Sequence, residues 1–336
     1  MIIQLQQNIT QADKSAITEK MQTLDFKATE VRTQRGTYLV GIGKKEFDLR
    51  QLGHMKGITD IHRVSDDYKL VSRKWKVGRS SVDLGDGVAI GDGTLAVMAG
   101  PCSIETEQQV QATIDHLVKN NVKIMRGGVF KPRSSPYAFR GLGVEGLKMW
   151  YTLAKKAGIK IISEVMQVSQ IADMYPYVDV FQVGARNTQN FNLLDELGKV
   201  DKPVMIKRGI SGTIEELLYS AEYVFAAGNE KLILCERGIR TYERASRNTL
   251  DVNAIPILKD KTHLPVVADP SHGIGIREFI EPVALAAVMA GADGIIYEMH
   301  EKPEEAFSDG AQTLNFGESE RLVDRMRKSF ELRMGF

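Results

Sequence analysis

The 336-residue sequence is poor in cysteine and has no long hydrophobic run. Its two cysteines, Cys102 and Cys235, are too few for the disulfide framework of a small secreted protein. The longest apolar stretches, such as residues 282–292, are too short to span a bilayer. The first residues, MIIQLQQNITQADK, lack the basic and apolar regions of a signal peptide. We therefore expect a cytoplasmic protein with no membrane partner.

The sequence also has no excess of charge of one sign. It contains 44 Lys and Arg against 43 Asp and Glu, which gives a formal net charge of +1. This balance provides no overall field to attract nucleic acid, so we expect no nucleic-acid partner. Any site for an anion must be a local cluster of cations. The hydrophobic fraction of 43% is ordinary for a soluble globular protein.

The first 65 residues alternate between patterns typical of strands and helices. The predicted order is βαββαβ, as in ferredoxin-like α+β domains. The predicted elements are a strand at 2–5, a helix at 11–24, strands at 27–34 and 37–42, a helix at 45–55 and a strand at 58–64. Residues 66–93 are predicted to be a charged linker and a capping hairpin, because two Asp-Gly pairs bracket the sequence VAI between Asp83 and Thr94.

Residues 94–336 repeat an apolar, β-rich segment followed by a helical pattern eight times. A chain of this length with eight such repeats predicts an α/β fold, the (β/α)8 TIM barrel. A doubly wound parallel sheet is the alternative, because periodicity alone does not separate the two folds. The predicted strands are LAVMAG, VKIMRGG, IKIISEV, VDVFQVGA, PVMIKRG, KLILCERG, LPVVADPSH and ADGIIYEMH.

Charged side chains collect at the carboxyl ends of these strands, where a barrel builds its active site. Crowded cations repel one another and lose water on burial, so such a set needs anions to offset it. Six cations suit two phosphorylated substrates, whereas any single one could instead form a salt bridge at the rim. The six are Arg126, Lys131, Arg133, Arg186, Lys207 and Arg237.

Four side chains of metal-ligand type follow the first, seventh and eighth strands, which are neighbours in a closed barrel. They are Cys102, His272, Glu298 and Asp309. A thiolate, an imidazole and two carboxylates suit one divalent metal ion, such as Mn, Fe, Co or Zn. The alternatives are that Cys102 is a small buried hydrophobic residue and that His272 is a loop histidine bonded to the backbone.

Several of these segments resemble the 3-deoxy-D-arabino-heptulosonate 7-phosphate (DAHP) synthase family. The resemblance covers the whole predicted barrel, with its motifs in order. The unit in front resembles the ferredoxin-like, ACT-type regulatory domain of the single-chain members. The similar segments are AGPCSIE (99–105), RGGVFKPRSSPYAFRGLG (126–143), QVGARNTQN (182–190), IKRG (206–209), ILCERGIRT (233–241), DPSHGIG (269–275) and the EMH to FSDG tract (298–310).

The resemblance implies a metal-dependent condensation of phosphoenolpyruvate with erythrose 4-phosphate, the first step of the shikimate pathway. The cations Arg126, Lys131, Arg186, Lys207 and Arg237 match residues that bind phosphoenolpyruvate. Arg133 and Ser134 match those that hold the phosphate of erythrose 4-phosphate. Cys102, His272, Glu298 and Asp309 match the metal ligands, and Glu164 and Lys131 are candidates for proton transfer. The resemblance also implies feedback by tyrosine or phenylalanine and a homotetramer.

Three other functions stay open from the sequence. A related 3-deoxy-D-manno-octulosonate 8-phosphate synthase would use arabinose 5-phosphate, although the tract KPRS (131–134) favours the four-carbon aldehyde. Lys207 could form a Schiff base, as in class I aldolases. A non-catalytic protein that binds an effector is the third alternative. His300 receives no role. The sequence predicts that four other histidines, His54, His62, His116 and His263, lie at the surface or at helix caps and that Cys235 lies in the core.

Overall fold

The N-terminal unit is a small antiparallel sheet with two helices. The computed structural model describes residues 1–43, 48–91, 93–131, 137 and 139–336. The sheet has the order β2-β3-β1-β4, and all neighbouring strands are antiparallel, as the ferredoxin-like pattern predicts. Its elements are β1 (Ile2–Leu5), α1 (Gln11–Thr23), β2 (Lys27–Arg32), β3 (Thr37–Ile42), α2 (Arg50–Gly53) and β4 (Ile58–His62).

A linker and a hairpin connect this unit to the barrel. The hairpin consists of β5 (Ser81–Asp83) and β6 (Ala89–Gly91), so the first Asp-Gly pair, Asp86-Gly87, lies in its turn. Asp86 and Gly87 both have positive φ, which this turn requires and which these residue types tolerate. The hairpin therefore begins slightly earlier than the predicted span.

The rest of the chain is a closed barrel of eight parallel strands surrounded by helices. The last strand pairs with the first, which excludes the doubly wound alternative. The strands are β7 (Ala96–Gly100), β8 (Ile124–Gly127), β9 (Lys160–Val165), β10 (Val180–Val183), β11 (Val204–Lys207), β12 (Leu232–Glu236), β13 (Val266–Ala268) and β14 (Gly294–Glu298). The helices are α3 (Glu107–Lys119), α4 (Gly143–Lys156), α5 (Ser169–Met174), α6 (Phe191–Leu197), α7 (Ile214–Ala226), α8 (Ala254–Lys261), α9 (Pro270–Ile274), α10 (Arg277–Met289) and α11 (Phe316–Met334).

Local sequence signals explain where several of these helices begin. Thr213 and Glu216 form a capping box at the start of α7, and Asn315 and Glu318 form another at the start of α11. Each box satisfies backbone N–H groups that a helix terminus leaves unpaired. The strands are apolar over most of their length, apart from the polar residues near their carboxyl ends, because one face lines the barrel interior and the other packs against helices.

The interior of the barrel is filled with side chains and is closed at its amino end by the hairpin. Val82 and Ile90 of the hairpin join the same buried cluster as the inward-facing strand residues. Cys235 belongs to this cluster, which confirms its predicted place in the core. In the described residues, the barrel interior is therefore closed at its amino end, and its carboxyl end can form a polar pocket.

The N-terminal unit contacts the amino end of its own barrel. Thr33 Oγ1 donates to Glu230 Oε1 at 2.9 Å, just before β12. Trp75 of the linker packs edge-on against Tyr38 of the unit and against His263, which precedes β13. His263 is buried, with Nε2 2.9 Å from Leu70 O and Nδ1 2.8 Å from Ser80 Oγ. The linker is thus part of the core rather than a free tether.

The fold class predicted from the sequence is confirmed: a TIM barrel with a small N-terminal sheet domain. The bounds 1–65, 66–93 and 94–336 stay predictions. Two histidines were placed wrongly, because His116 and His263 are buried. His263 was misplaced because its partners lie more than 180 residues away in the chain. Within the described residues, no helix is long and apolar enough to cross a membrane.

Candidate active site

The carboxyl ends of the barrel strands surround a polar pocket of about 230 Å³. Five of the six predicted cations line it, together with Glu164, His272 and Asp309. Two further arginines of the β12–α8 loop, Arg240 and Arg247, also line it. The five predicted cations are Arg126, Lys131, Arg186, Lys207 and Arg237. The sixth, Arg133, and its neighbour Ser134 lie outside the described residues.

A cluster of three metal-ligand side chains lies at one side of this pocket. Donor atoms of Cys102, Glu298 and Asp309 all lie within 4.8 Å of one another. The Cys102 thiol donates to Asp309 Oδ2 at 3.2 Å. Glu298 ends β14, and Cys102 follows the adjacent strand β7, so closure of the barrel brings them together. We call Cys102, Glu298 and Asp309 the donor cluster.

His272 lies beside the donor cluster and is held by an aspartate. Its Nε2 is 3.4 Å from Glu298 Oε1, and its Nδ1 is 2.8 Å from Asp269 Oδ2. Asp269 also caps α9 by accepting from the His272 backbone N–H at 3.0 Å. A carboxylate on one ring nitrogen fixes the orientation of the imidazole and leaves the other nitrogen facing the cluster. The structure thus brings three of the four predicted ligands together and places the fourth, His272, beside Glu298.

Burial and neighbouring charges set the protonation of this region. Burial and then the Glu298 carboxylate raise the pKa of the Cys102 thiol to about 12. Although burial opposes it, His272 and Arg126 lower the pKa of Glu298 to about 2. Burial likewise opposes ionisation of Asp269, but His272 and Lys207 hold the pKa of that carboxyl well below its usual range. Two buried carboxylates are therefore charged beside a neutral thiol.

The donor cluster and His272 fit a divalent metal ion in chemistry. A sulfur, an imidazole nitrogen and two carboxylates are the ligands that zinc and neighbouring transition metals accept. The thiol and Asp309 already share one hydrogen bond, so the cluster holds a proton that a cation would replace. A bound cation would also favour the thiolate, which burial otherwise disfavours.

The cations of the pocket differ in their protein partners. Arg126 donates through Nη1 to Glu298 Oε1 and to Pro101 O, each at 3.0 Å. Lys131 Nζ donates to Cys102 O at 2.7 Å and to Cys102 Sγ at 3.0 Å. Lys207 forms a buried ion pair with Asp269. Among the described residues, neither Arg186 nor Arg237 has an acidic partner, so these two are available for an anion.

Glu164 enters the pocket across a glycine. It is the penultimate residue of β9 and lines the pocket, and a Cβ atom added to Gly184 would lie 2.0 Å from Glu164 Oε1. Gly184 therefore leaves the space that the carboxylate occupies. The motif QVGAR (182–186) places this glycine two residues before Arg186, so a carboxylate and a guanidinium face the same pocket.

The sequence did not single out Arg240, Arg247 or Gln312. Arg240 and Arg247 lie on the β12–α8 loop, and Gln312 follows Asp309 in the loop after β14. The sequence does carry a signal for Arg240 and Arg247, since both are cations in the loop that follows the polar end of β12. Gln312 offered none, because a lone glutamine has no distinctive spacing. The Schiff-base alternative loses support, because Lys207 is already engaged in a buried ion pair with Asp269.

Comparison with known proteins gives consistent results. Residues 74–333 match the family model of the DAHP synthetase I family. Phospho-2-dehydro-3-deoxyheptonate aldolase of Thermotoga maritima is 42% identical over 98% of this chain and 97% of its own length. A 2-dehydro-3-deoxyphosphooctonate aldolase of Geobacter sulfurreducens is 31% identical over 70% of this chain and 93% of its own length.

The solved structures point the same way. The crystal structure of the DAHP synthase from Thermotoga maritima superimposes with a TM-score of 0.79 at 41% identity, covering 98% of this chain and 97% of that chain. A truncated form of the same enzyme covers 80% of this chain with a TM-score of 0.75. The similarity extends over the N-terminal unit as well as the barrel, which confirms the resemblance of the motifs: this chain belongs to the DAHP synthetase I family.

Proposed function

We propose that the protein condenses phosphoenolpyruvate with erythrose 4-phosphate and water to give DAHP and phosphate. The observation that carries this proposal is a single pocket in which the five predicted cations, with Arg240 and Arg247, lie beside the donor cluster and His272. Cations in this number suit phosphorylated substrates, and the donor cluster suits an aldehyde that must be polarised. The reaction would make the protein the first enzyme of the shikimate pathway.

Phosphoenolpyruvate binding is assigned to the cations of the pocket. Arg186 and Arg237 would bind one anionic group, since neither is neutralised by a described acidic side chain. Burial lowers the pKa of Arg237, so an anion beside it would also relieve the cost of burying that charge. Arg126, Lys131 and Lys207 would complete the site, each already held in place by a hydrogen bond to its neighbour.

Erythrose 4-phosphate binding is assigned by resemblance to Arg133 and Ser134. The tract KPRS (131–134) begins at Lys131, which lines the pocket, and its other three residues lie outside the described residues. The alternative aldehyde is arabinose 5-phosphate, as in the octulosonate enzymes. Higher identity and coverage of the heptonate relative favour the four-carbon substrate.

One divalent ion, chosen from Mn, Fe, Co or Zn, would be held by Cys102, His272, Glu298 and Asp309. When bound, it would supply Lewis-acid polarisation of the aldehyde carbonyl. Within the chain, Asp269 would orient His272, and Arg126 would keep Glu298 ionised. These contacts prepare the ligands before any ion binds.

The bond changes balance without a further reactant. Carbon three of phosphoenolpyruvate forms a bond to the aldehyde carbon, whose oxygen gains a proton. Water adds at carbon two, and cleavage of the carbon–oxygen bond there releases phosphate. Lys131 and Glu164 are the candidates to transfer these protons, because both line the pocket.

The test is phosphate release from phosphoenolpyruvate in the presence of either aldose, with and without EDTA. We expect release with erythrose 4-phosphate that EDTA abolishes and added Mn(II) restores. Arabinose 5-phosphate is the matched control, and faster turnover with it would favour the octulosonate reaction. Turnover that persists in metal-free buffer would remove the metal from the proposal, and no turnover with either aldose would favour a non-catalytic protein.

We also propose that tyrosine or phenylalanine inhibits the enzyme through the N-terminal unit, in a cytoplasmic homotetramer. In a single chain, the unit contacts the amino end of its barrel, opposite the pocket. An effector would therefore act through the barrel or on the mouth of another subunit. Addition of each amino acid during phosphate release, with sedimentation to give the subunit number, tests both statements. Unchanged turnover and unchanged thermal stability would remove the effector.

A further inference from the structure

A buried amide supports the donor cluster from the side opposite Arg126. Gln312 is 3% exposed, and its Nε2 donates to Glu298 Oε2 at 2.6 Å. Its Oε1 accepts a hydrogen bond from Arg247 Nη1, also at 2.6 Å. Because arginine can only donate, Arg247 fixes the amide with its oxygen outward and its NH2 group towards Glu298. The two contacts together hold one oxygen of Glu298 in a defined direction.

Arg247 connects the loops that carry the other donors. Its backbone N–H donates to Ile274 O at the end of α9, the helix that contains His272. Its side chain lies against Gly275, where an added Cβ atom would come within 2.4 Å of Arg247 Cβ. Gly275 has a φ of +70°, so both space and backbone require glycine there. Arg247 Nη1 is also 3.5 Å from Asp309 Oδ1.

The backbone at Asp309 needs such support. Its φ of +52° lies in the left-handed region, which residues other than glycine adopt infrequently. The backbone N–H of Gln312 donates to Asp309 O at 3.2 Å, and the Thr313 hydroxyl donates to the same oxygen at 2.9 Å. Gln312 therefore contacts two members of the donor cluster, one through its side chain and one through its backbone.

We infer that Gln312 and Arg247 are positioning residues for the metal site. Gln312 orients Glu298 by donating to its Oε2. Arg247 holds the Gln312 amide in the orientation that makes this hydrogen bond possible, and Arg247 also contacts Asp309. Neither residue is among the proposed ligands or substrate-binding residues. The inference rests on the proposed function, because it requires that the donor cluster binds a metal ion.

The test is metal affinity of the full-length protein without substrate. Gln312→Met removes the donor and the acceptor but keeps a side chain of similar volume. Loss of a group that orients a metal ligand typically weakens metal binding by about 10–100-fold. We expect such a loss for Mn(II), measured by competition with a fluorescent chelator. Saturating Mn(II) should restore most of the turnover, which a merely structural defect would not allow.

Arg247 provides a second variant that does not disturb a buried side chain, since 41% of its side chain is exposed. Arg247→Met should weaken Mn(II) binding in the same direction, and Arg247→Lys should recover part of it by keeping one donor. Gln170→Met is the matched control. Gln170 is also a buried glutamine, 7% exposed, that accepts from the Met166 backbone N–H at 2.9 Å and does not line the pocket.

The outcomes separate the inference from the proposed function. Wild-type Mn(II) affinity in both Gln312→Met and Arg247→Met would overturn the inference and leave the proposed function intact. Equal losses in Gln312→Met and in the Gln170→Met control would also overturn it, because the effect would then be general. If the wild-type protein itself binds none of the four candidate metals, the proposed function fails first.

Discussion

One histidine precedes strand β13 and another follows it, and the surroundings of the two differ in polarity. His263, at the amino end, is enclosed by Trp75 and Phe225 and bonded to Ser80 and Leu70. His272, beyond the carboxyl end, lies between the carboxylates of Asp269 and Glu298. The same short strand thus joins an apolar end that is closed by packing to a charged end that is open to ligands.

The same contrast separates two neighbouring arginines at the charged end. Arg208 and Arg237 are both 5% exposed and follow adjacent strands. Arg208 donates through Nη1 to Glu236 and to Asp251, each at 2.9 Å. Arg237 has no acidic partner among the described residues and lines the pocket. Breaking a buried ion pair destabilises the fold because it leaves one charge unpaired, whereas a buried cation that lacks an acidic partner is a candidate for binding a ligand.

Substitution of these two arginines should give the largest effects and should separate activity from stability. Arg237→Met removes a charge that has no acidic partner in the described part of the chain, so phosphate release should fall about 100-fold or more. Its melting temperature should stay the same or rise. Arg208→Met leaves buried Glu236 without its partner and should lower the free energy of unfolding by about 3–5 kcal/mol.

Turnover and urea unfolding should be measured for both variants, so that loss of activity and loss of stability can be compared. Arg208→Met should retain most of its turnover while it is folded. The distinction between the two arginines is wrong if Arg237→Met unfolds as readily as Arg208→Met, or if it keeps wild-type turnover.

Trp75→Ala should be the most damaging single change at the apolar end. The indole is 7% exposed, and its Nε1 donates to Leu70 O at 2.8 Å. Loss of a buried tryptophan typically costs about 3–5 kcal/mol in the free energy of unfolding. Because the site lies at the other end of the barrel, KM for phosphoenolpyruvate should not change below the melting temperature. A large change in KM with unaltered stability would contradict the separation of the two ends.

The sequence predicted the charged end better than the apolar end, and the reason is physical. The local sequence identifies strand ends such as Glu298, because a charged residue directly after an apolar run is unusual. A barrel then fixes where those ends meet, so Cys102 and Asp309 could be placed together before any coordinates. His263 carries no local mark, because its environment is made by residues 70–80 far away in the chain. Gln312 was missed for the same reason, since its role depends on Arg247.

Low pH should lower the free energy of unfolding, because His263 is buried at the apolar end. Burial, and then the nearby charge of Lys76, lowers the pKa of His263 from 6.5 to about 3 in the folded protein. Between these two values the unfolded chain binds a proton that the folded chain does not. Stability is therefore complete above pH 6.5 and is lost as the pH falls towards 3, by about 2 kcal/mol between pH 7 and pH 5.

Urea unfolding at pH 7 and pH 5 measures this loss, with His263→Gln as the control. Glutamine keeps a donor and an acceptor but does not titrate, so its stability should depend less on pH. Equal pH dependence in the two proteins would mean that other groups account for the acid sensitivity.

The smallest effect is expected where the N-terminal unit contacts the barrel. Thr33→Val removes the hydroxyl that donates to Glu230 Oε1, while the β-branched shape is kept. A hydrogen bond to a carboxylate is typically worth about 1.5–3 kcal/mol, and the Thr33 hydroxyl is half-buried and also contacts Gly36 O, so the loss should fall near the lower figure. Because Tyr38, Trp75 and Phe225 still pack together, the unit should stay attached and turnover without effector should be unchanged. Hydrogen exchange of β2 and β3 is the sensitive measurement. Faster exchange in these two strands, with unaltered protection of the barrel strands, would show that the hydrogen bond stabilises this junction. Unchanged exchange would show that the aromatic packing alone holds the unit.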